Sequence, residues 1–320
     1  MSALLELQNV SVSIGSAQLL DGVSLRLERG QTLGLVGESG SGKSLTAMAA
    51  MGLLPLIGGR VSDGSVQFDG QDLASLSDAQ RRALRGRRIG FVTQNPMTAL
   101  DPVQRIGAQI DVVSRLHLGL TKQAARARTI DLLTQLRIPE AQAVAEAWPH
   151  QLSGGMKQRI VIAMALAGDP ELIIADEPTT ALDVTVQAQI IQILAGLVRE
   201  KGVALLLITH DMGVVAQICD RVAVLYAGRL AEEGPVAPIF AAPQHPYTAA
   251  LINCIPQEGM ARGTLRGIPG AVPSARQYPT GCRFHPRCAK ATAECAALTP
   301  PVITRGDGQA ACLHLPEVAP

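Results

Sequence analysis

The sequence predicts an α/β fold, a parallel sheet with helical crossovers joined to an early antiparallel portion. Three observations predict it. Short apolar runs read as strands at 32–36, 172–175 and 203–208, and longer helical patterns alternate with them. The first strand-like runs, 4–14 and 23–27, follow each other without a helix between them, as antiparallel neighbours do. Hydrophobic residues make up 47% of 320 residues, enough for a sizeable core, so global disorder is excluded.

Further strands are expected at 65–68, 89–92 and 222–226, and helices at 43–54, 106–116, 122–136, 153–166, 184–199 and 212–219. The stretch 96–165 shows no convincing strand and reads as an inserted helical subdomain. After Gly234 the composition changes, and Pro235, Pro238, Pro243, Pro246 and Pro256 punctuate a connector. From Gly259 onward seven basic residues face three acidic ones and four cysteines appear, so 259–320 reads as a small appendage too short to hold a core unaided. Aromatics are only 2%, so the core must be aliphatic. The net charge of +1 leaves no global field toward nucleic acid or anionic lipid. No stretch reads as a signal peptide or a membrane-spanning helix. The longest run without a charge, 234–257, is broken by prolines, so the expectation is a soluble, cytosolic chain.

Gly37-Glu38-Ser39-Gly40-Ser41-Gly42-Lys43-Ser44 fits the phosphate-loop pattern G-x-x-x-x-G-K-S/T, after a strand and at a helix start. Glycines let successive backbone N–H groups turn toward phosphate oxygens, Lys43 supplies a point charge, Ser44 offers a hydroxyl to Mg²⁺, and the helix dipole adds to the field. An apolar strand ends in Asp176 and Glu177, where ligands gather in parallel sheets. Asp176 suits the Mg²⁺ shell, and Glu177 suits a base that orients the attacking water.

Leu152-Ser153-Gly154-Gly155-Met156-Lys157-Gln158-Arg159 resembles the signature of the ATP-binding-cassette (ABC) ATPases. Gln94 after strand 89–92 looks like that family's Q-loop glutamine, a sensor of Mg²⁺ and water. Thr180-Ala181-Leu182-Asp183 resembles its D-loop, and His210 looks like its switch histidine at the γ-phosphate. The resemblance covers about residues 4–250 and implies a P-loop NTPase core of ABC ATPase type, with an antiparallel β subdomain and an inserted helical subdomain. It also implies a head-to-tail pair in which ATP lies between the phosphate loop of one subunit and Ser153, Gly154 and Gly155 of the other, with Asp183 at the interface. Three positions depart from the usual pattern. Ile14 stands where an adenine-stacking aromatic is expected and offers only apolar contact. Thr180 replaces a common Ser, and Met156 a common Gln.

Met156, together with Asn95-Pro96-Met97-Thr98-Ala99-Leu100-Asp101-Pro102, Thr209-His210-Asp211-Met212-Gly213-Val214-Val215, Pro243-Gln244-His245-Pro246-Tyr247-Thr248 and 281–288, is similar to the D-type ATPase subunits of oligopeptide, dipeptide and nickel importers. That resemblance implies a nucleotide-binding domain over 1–258 and a transporter-type extension over 259–320. It further implies a second, related ATPase subunit, two transmembrane permeases and an extracytoplasmic solute-binding protein, with this chain at the cytoplasmic face of the bacterial inner membrane. Di- or oligopeptides lead as cargo, and nickel, glutathione and opines stay open. Two other classes are weighed. One is a soluble cassette ATPase of DNA or translation processes, which the single cassette disfavours. The other is a redox- or iron-sensing ATP-binding switch, which intact Glu177 and His210 disfavour.

Cys282, Cys288, Cys295 and Cys312 form the spacing C-x5-C-x6-C-x16-C. Clustered thiols in a cytosolic chain suggest a metal before a disulfide, so a 4Fe–4S cluster, zinc (with His285 or His314 as further ligands) and unligated thiols all remain open. Cys219 and Cys254 are expected to be buried thiols. Five arginines within 81–88 read as a solvated helix end rather than a phosphate-binding patch.

Overall fold

The structure is a computed structural model and describes residues 3–180, 183–256 and 267–315. The expected division at 258/259 falls outside these residues, as do Ala181 and Leu182. The strands in chain order are β1 (Leu5–Ile14), β2 (Ala17–Leu27), β3 (Thr32–Val36), β4 (Gly59–Phe68), β5 (Gln71–Asp72), β6 (Ile89–Val92), β7 (Leu172–Asp176), β8 (Ala204–Thr209), β9 (Arg221–Tyr226), β10 (Arg229–Pro235), β11 (Ile303–Arg305) and β12 (Gly308–Ala310). The chain divides into two compact units.

The first unit holds residues 1–27, 32–74 and 209–320. One of its sheets is antiparallel, in the order β2-β1-β4-β5. Apolar residues of β1 and β2 alternate inward in the period a one-sided sheet requires, and Leu7, Val10, Val12, Leu20, Val23 and Leu25 are buried. The other sheet pairs β3 with β9 in parallel, then β10 and the hairpin β11–β12 in antiparallel register. Its core is Val36, Met212, Val215, Val222, Val224 and Tyr226, closed by Tyr247 and Phe284. Tyr226 packs edge-on against both of these rings, with centroids 4.6 and 5.1 Å away. The cysteine-containing tail is therefore stitched to this unit by Phe284 and by the pairing of Glu232 with Ala310.

The second unit holds residues 28–31 and 75–208. β6, β7 and β8 pair in parallel, in the register Val92↔Ala175 and Ala175↔Leu207. β7 and β8 are apolar on both faces, as central parallel strands must be. The stretch after β6 is helical as expected, with Ile106–Leu118, Lys122–Gln135, Ala141–Glu146 and Gly154–Leu166 before β7. Asp111 ties this region together, accepting from Thr129 Oγ1 at 2.6 Å and Arg126 Nε at 2.9 Å.

Several expectations shift in extent. The helix after the phosphate loop is Lys43–Ala50, shorter than 43–54, because Gly52 turns left-handed at φ 63°. The connector after Gly234 contains two helices, Val236–Ala241 and Pro246–Asn253. Three of the five arginines of 81–88 are engaged within their own unit: Arg88 pairs with Glu171, Arg87 donates to Gly168 O, and Arg81 pairs with Asp78. Cys219 and Cys254 are half-buried rather than buried, and burial still pushes the Cys219 thiol up to about 12. Among the described residues, no helix is long and apolar enough to cross a membrane.

Candidate functional site

The phosphate loop runs from the end of β3 to the helix Lys43–Ala50. Gly37 has φ 151°, and a Cβ there would lie 2.2 Å from Leu225 O, so no other residue fits. Gly42 caps the helix at φ 108°, where a Cβ would meet Leu20 Cδ2 at 2.4 Å. Gly228 N–H donates to Ser41 O at 2.8 Å and holds the far side of the loop. Lys43 is buried, and its Nζ donates to Gly37 O at 2.7 Å and Glu38 O at 3.1 Å, which holds the ammonium across the loop. Ser41 Oγ is buried and has no hydrogen-bond partner among the described residues. An orphaned buried hydroxyl inside a glycine cradle fits an oxyanion ligand. Ser44 is exposed in the first helical turn. Ser39 and Gly40 are exposed at the tip of the loop.

In the second unit, parallel register does the positioning. With Val92 opposite Ala175, Gln94 and Glu177 lie two residues beyond the paired positions, side by side. Gln94 Nε2 donates to Glu177 Oε2 at 3.0 Å, and Thr180 Oγ1 donates to the same oxygen at 2.8 Å. Glu177 sits at φ 45°, a backbone region that non-glycine residues rarely adopt, and its N–H is anchored to Ile208 O at 2.8 Å. This constellation fixes a carboxylate at a strand end through its Oε2. Asp176 ends β7 and is half-buried. The contact of Gln94 with Glu177 spans 83 residues of sequence and was visible only as two separate motifs.

Ser153 caps the helix Gly154–Leu166, accepting from Met156 N–H at 3.3 Å, and retains its hydroxyl proton as a donor. Ser153 and Gly154 are exposed. Gly155 allows close approach to Val186, whose Cγ1 would stand 2.8 Å from a Cβ. Asp183 is exposed and caps the helix Val184–Lys201 through Val186 N–H at 3.0 Å. In the first unit His210 is exposed directly after β8, and Ile14 is half-buried at the end of β1, opposite Ala17 and Gly59.

The tail thiols converge. Cys282, Cys288, Cys295 and Cys312 line one small cavity together with His314, and Cys295 Sγ lies 3.4 Å from His314 Nε2. Burial pushes the thiols of Cys282, Cys288 and Cys312 up. Among the described residues, no group of three or more His, Cys, Asp or Glu side chains is spaced to hold a metal ion.

The glycine cradle of the first unit fits an oxyanion ligand, the second unit holds a carboxylate at a strand end, and comparison with known proteins is specific. Residues 20–180 match the ABC transporter family model, and residues 231–295 match that of the oligopeptide/dipeptide transporter C-terminal region. The chain is similar to the probable D,D-dipeptide transport ATP-binding protein DdpD of Escherichia coli, 45% identical over 97% of this chain and 95% of the relative. It is likewise similar to the dipeptide transport ATP-binding protein DppD of the same organism, 44% identical over 98% of this chain and 97% of the relative. Among solved structures, it resembles cbiO1 of Clostridium perfringens, part of the ABC transporter complex cbiONQ, with TM-score 0.67 and 26% identity over 76% of this chain and 92% of that one. It also resembles the ATP-binding cassette MJ0796 in a dimeric post-hydrolysis state with ADP and Pi, with TM-score 0.64 and 29% identity over 72% of this chain and 98% of that one. The chain belongs to the ABC transporter family as an ATP-binding, ATP-hydrolysing subunit.

Proposed function

We propose that this chain powers an importer of di- or oligopeptides from the cytoplasmic face of the cell membrane. Its partners would be a second cassette subunit, two permeases and an extracytoplasmic binding protein. The observation that carries this reading is likeness along nearly the whole chain, tail included, to peptide-transport ATP-binding proteins. In this reading residues 1–258 form the nucleotide-binding domain, with a helical subdomain at about 96–165, and 259–320 the transporter-type extension.

The residue roles follow from chemistry. Backbone N–H groups of 37–44 and the Lys43 ammonium hold the triphosphate, while Ile14 gives the base an apolar contact. Ser44, Asp176 and Gln94 are the candidate holders of Mg²⁺, which would neutralise developing phosphate charge. Glu177 polarises the attacking water and Gln94 keeps it oriented. His210 reads the γ-phosphate. Ser153, Gly154 and Gly155 would serve the nucleotide held by the partner subunit, since their helix start is a second anion-binding surface, and Asp183, which caps another helix, would lie at the interface beside that nucleotide. Binding then favours a closed pair, and loss of the γ-phosphate reopens it, so the free energy moves the permeases.

The test is Glu177→Gln in the assembled transporter. It preserves the size of the side chain and an acceptor for Gln94 and Thr180. ATP binding should persist while hydrolysis falls about 10²–10⁴-fold. Unchanged turnover would remove Glu177 from its role. For the tail, we propose that the four thiols, which share one cavity but are not spaced in this structure to hold a metal ion, would close on an iron–sulfur cluster or zinc as its ligands. Iron, zinc and acid-labile sulfide contents of protein purified without oxygen test that directly, and absence of all three would leave the thiols unligated.

A further inference from the structure

Glu38 of the phosphate loop is gripped from three sides. Its carboxylate takes a two-pronged pair from Arg287, with Nη1 to Oε2 at 2.7 Å and Nη2 to Oε1 at 2.9 Å. Its backbone N–H donates to Tyr247 Oη at 2.9 Å. Its C=O accepts from Lys43 Nζ. Arg287 belongs to the tail and stands immediately before Cys288, yet its side chain is only 5% exposed. Its remaining donors are engaged too: Nε to Pro269 O at 2.8 Å, Nη1 to Tyr226 Oη at 3.3 Å and Nη2 to Ile268 O at 3.2 Å. All five N–H groups of the guanidinium thus have acceptors, which fixes the plane of the fork and with it the carboxylate. Tyr247 is fully buried in the aromatic cluster, so its hydroxyl is equally fixed.

We infer that the C-terminal extension, through Arg287, and the helix Pro246–Asn253, through Tyr247, together brace the phosphate loop, both residues positioning ATP by acting through Glu38 on Lys43. Where Glu38 O stands decides where the Lys43 ammonium waits, and the brace decides where Glu38 stands. Neither brace residue belongs to the phosphate loop itself. A tight ion pair of this burial on a rigid frame sets loop geometry to a fraction of an ångström, the tolerance phosphate positioning demands. The same arrangement joins the thiol-bearing tail to the phosphate loop, since Arg287 precedes Cys288 in the chain.

This inference rests on ATP occupying the phosphate loop. The experiment measures ATP affinity with a fluorescent ATP analogue, and KM and kcat in the assembled transporter, for Arg287→Lys, Tyr247→Phe, Glu38→Gln and the Arg287→Lys/Glu38→Gln pair. Lysine keeps the charge and loses the fork. Phenylalanine keeps the ring packing and loses the hydroxyl, so it stays folded if Arg287→Lys does not. KM for ATP should rise about 5–20-fold in Arg287→Lys and about 3–10-fold in Tyr247→Phe, with kcat within about threefold, and the double variant should be no worse than the poorer single one. A role in stability alone would lower the melting temperature and leave KM within about twofold in both variants, which would overturn the inference. Additive effects in the double variant would overturn it as well. Lys43→Ala is the control: if it binds the analogue as tightly as the unmodified chain, the phosphate-loop reading itself falls, and the brace with it.

Discussion

Lowering the pH should loosen the junction where the helix Pro246–Asn253 meets β10, because His245 cannot take up a proton there. His245 is 4% exposed, and its Nδ1 accepts from Tyr247 N–H at 3.0 Å, capping that helix. Its backbone N–H donates to Glu232 Oε2 at 2.9 Å, and the Phe284 ring lies 5.9 Å from the imidazole. Protonating Nδ1 would break the cap and bury a charge. Burial accordingly lowers the His245 pKa from 6.5 to about 4. The unfolded chain takes the proton near 6.5 and the folded chain resists until about 4. The stabilisation is therefore complete above the unfolded value and is lost as pH falls between the two. At about 1.4 kcal/mol per pH unit the whole window corresponds to about 3 kcal/mol, of which about 2 kcal/mol is gone at about pH 5. Buried Glu232, whose pKa is raised by desolvation, contributes with the opposite sign, gaining stability as pH falls. His245→Asn isolates the histidine, since Asn keeps a capping acceptor, does not titrate and leaves Glu232 in place. Urea unfolding of both chains at about pH 7.5 and about pH 5 should show the unmodified chain losing about 2 kcal/mol more than the variant. A difference below about 0.5 kcal/mol would refute the reasoning.

Other consequences can be read the same way. Gly37→Ala forces a Cβ against Leu225 O at φ 151°, so it should cost at least about 2 kcal/mol in urea unfolding and abolish measurable ATP-analogue binding. Equal binding would show that the loop yields there. Cys219, with its thiol pushed up to about 12, should alkylate more slowly than Cys254 in the folded chain at neutral pH, as mass spectrometry of timed iodoacetamide reactions would reveal. Labelling of Cys219 ahead of Cys254 would contradict that shift.

Much of this architecture is legible in the chain because its pieces are local. The apolar run 32–36, the glycines of 37–42 and Lys43 are contiguous, so strand, loop and helix start are read together. β7 and β8 are apolar without interruption and bounded by turns, a pattern few alternatives share. β10 is not legible: Glu232 and Glu233 are buried within it, the first accepting from Gln244 and His245 N–H, the second paired with Arg221, and no periodicity anticipates buried acids. β11 and β12 are three residues each and gain their order from pairing with β10. The helices Val236–Ala241 and Pro246–Asn253 lie in a stretch whose prolines read as breakers. Yet Pro246 takes the first helical position, where its missing N–H costs nothing, and Pro235 caps the other helix. In the site, each motif is local but the couplings are not. Gln94 meets Glu177 through the register of β6 on β7, and Arg287 meets Glu38 across 249 residues.

The central claim is that one nucleotide is gripped by two chains. It is tested most directly by the structure of the Glu177→Gln transporter with MgATP. The γ-phosphate should lie within hydrogen-bond reach of Lys43 of one cassette and of the signature serine of the other, with Ser153 of this chain serving its partner's nucleotide. A triphosphate contacted by a single cassette, with Ser153 facing solvent in a complex that still hydrolyses ATP when Glu177 is restored, would contradict it.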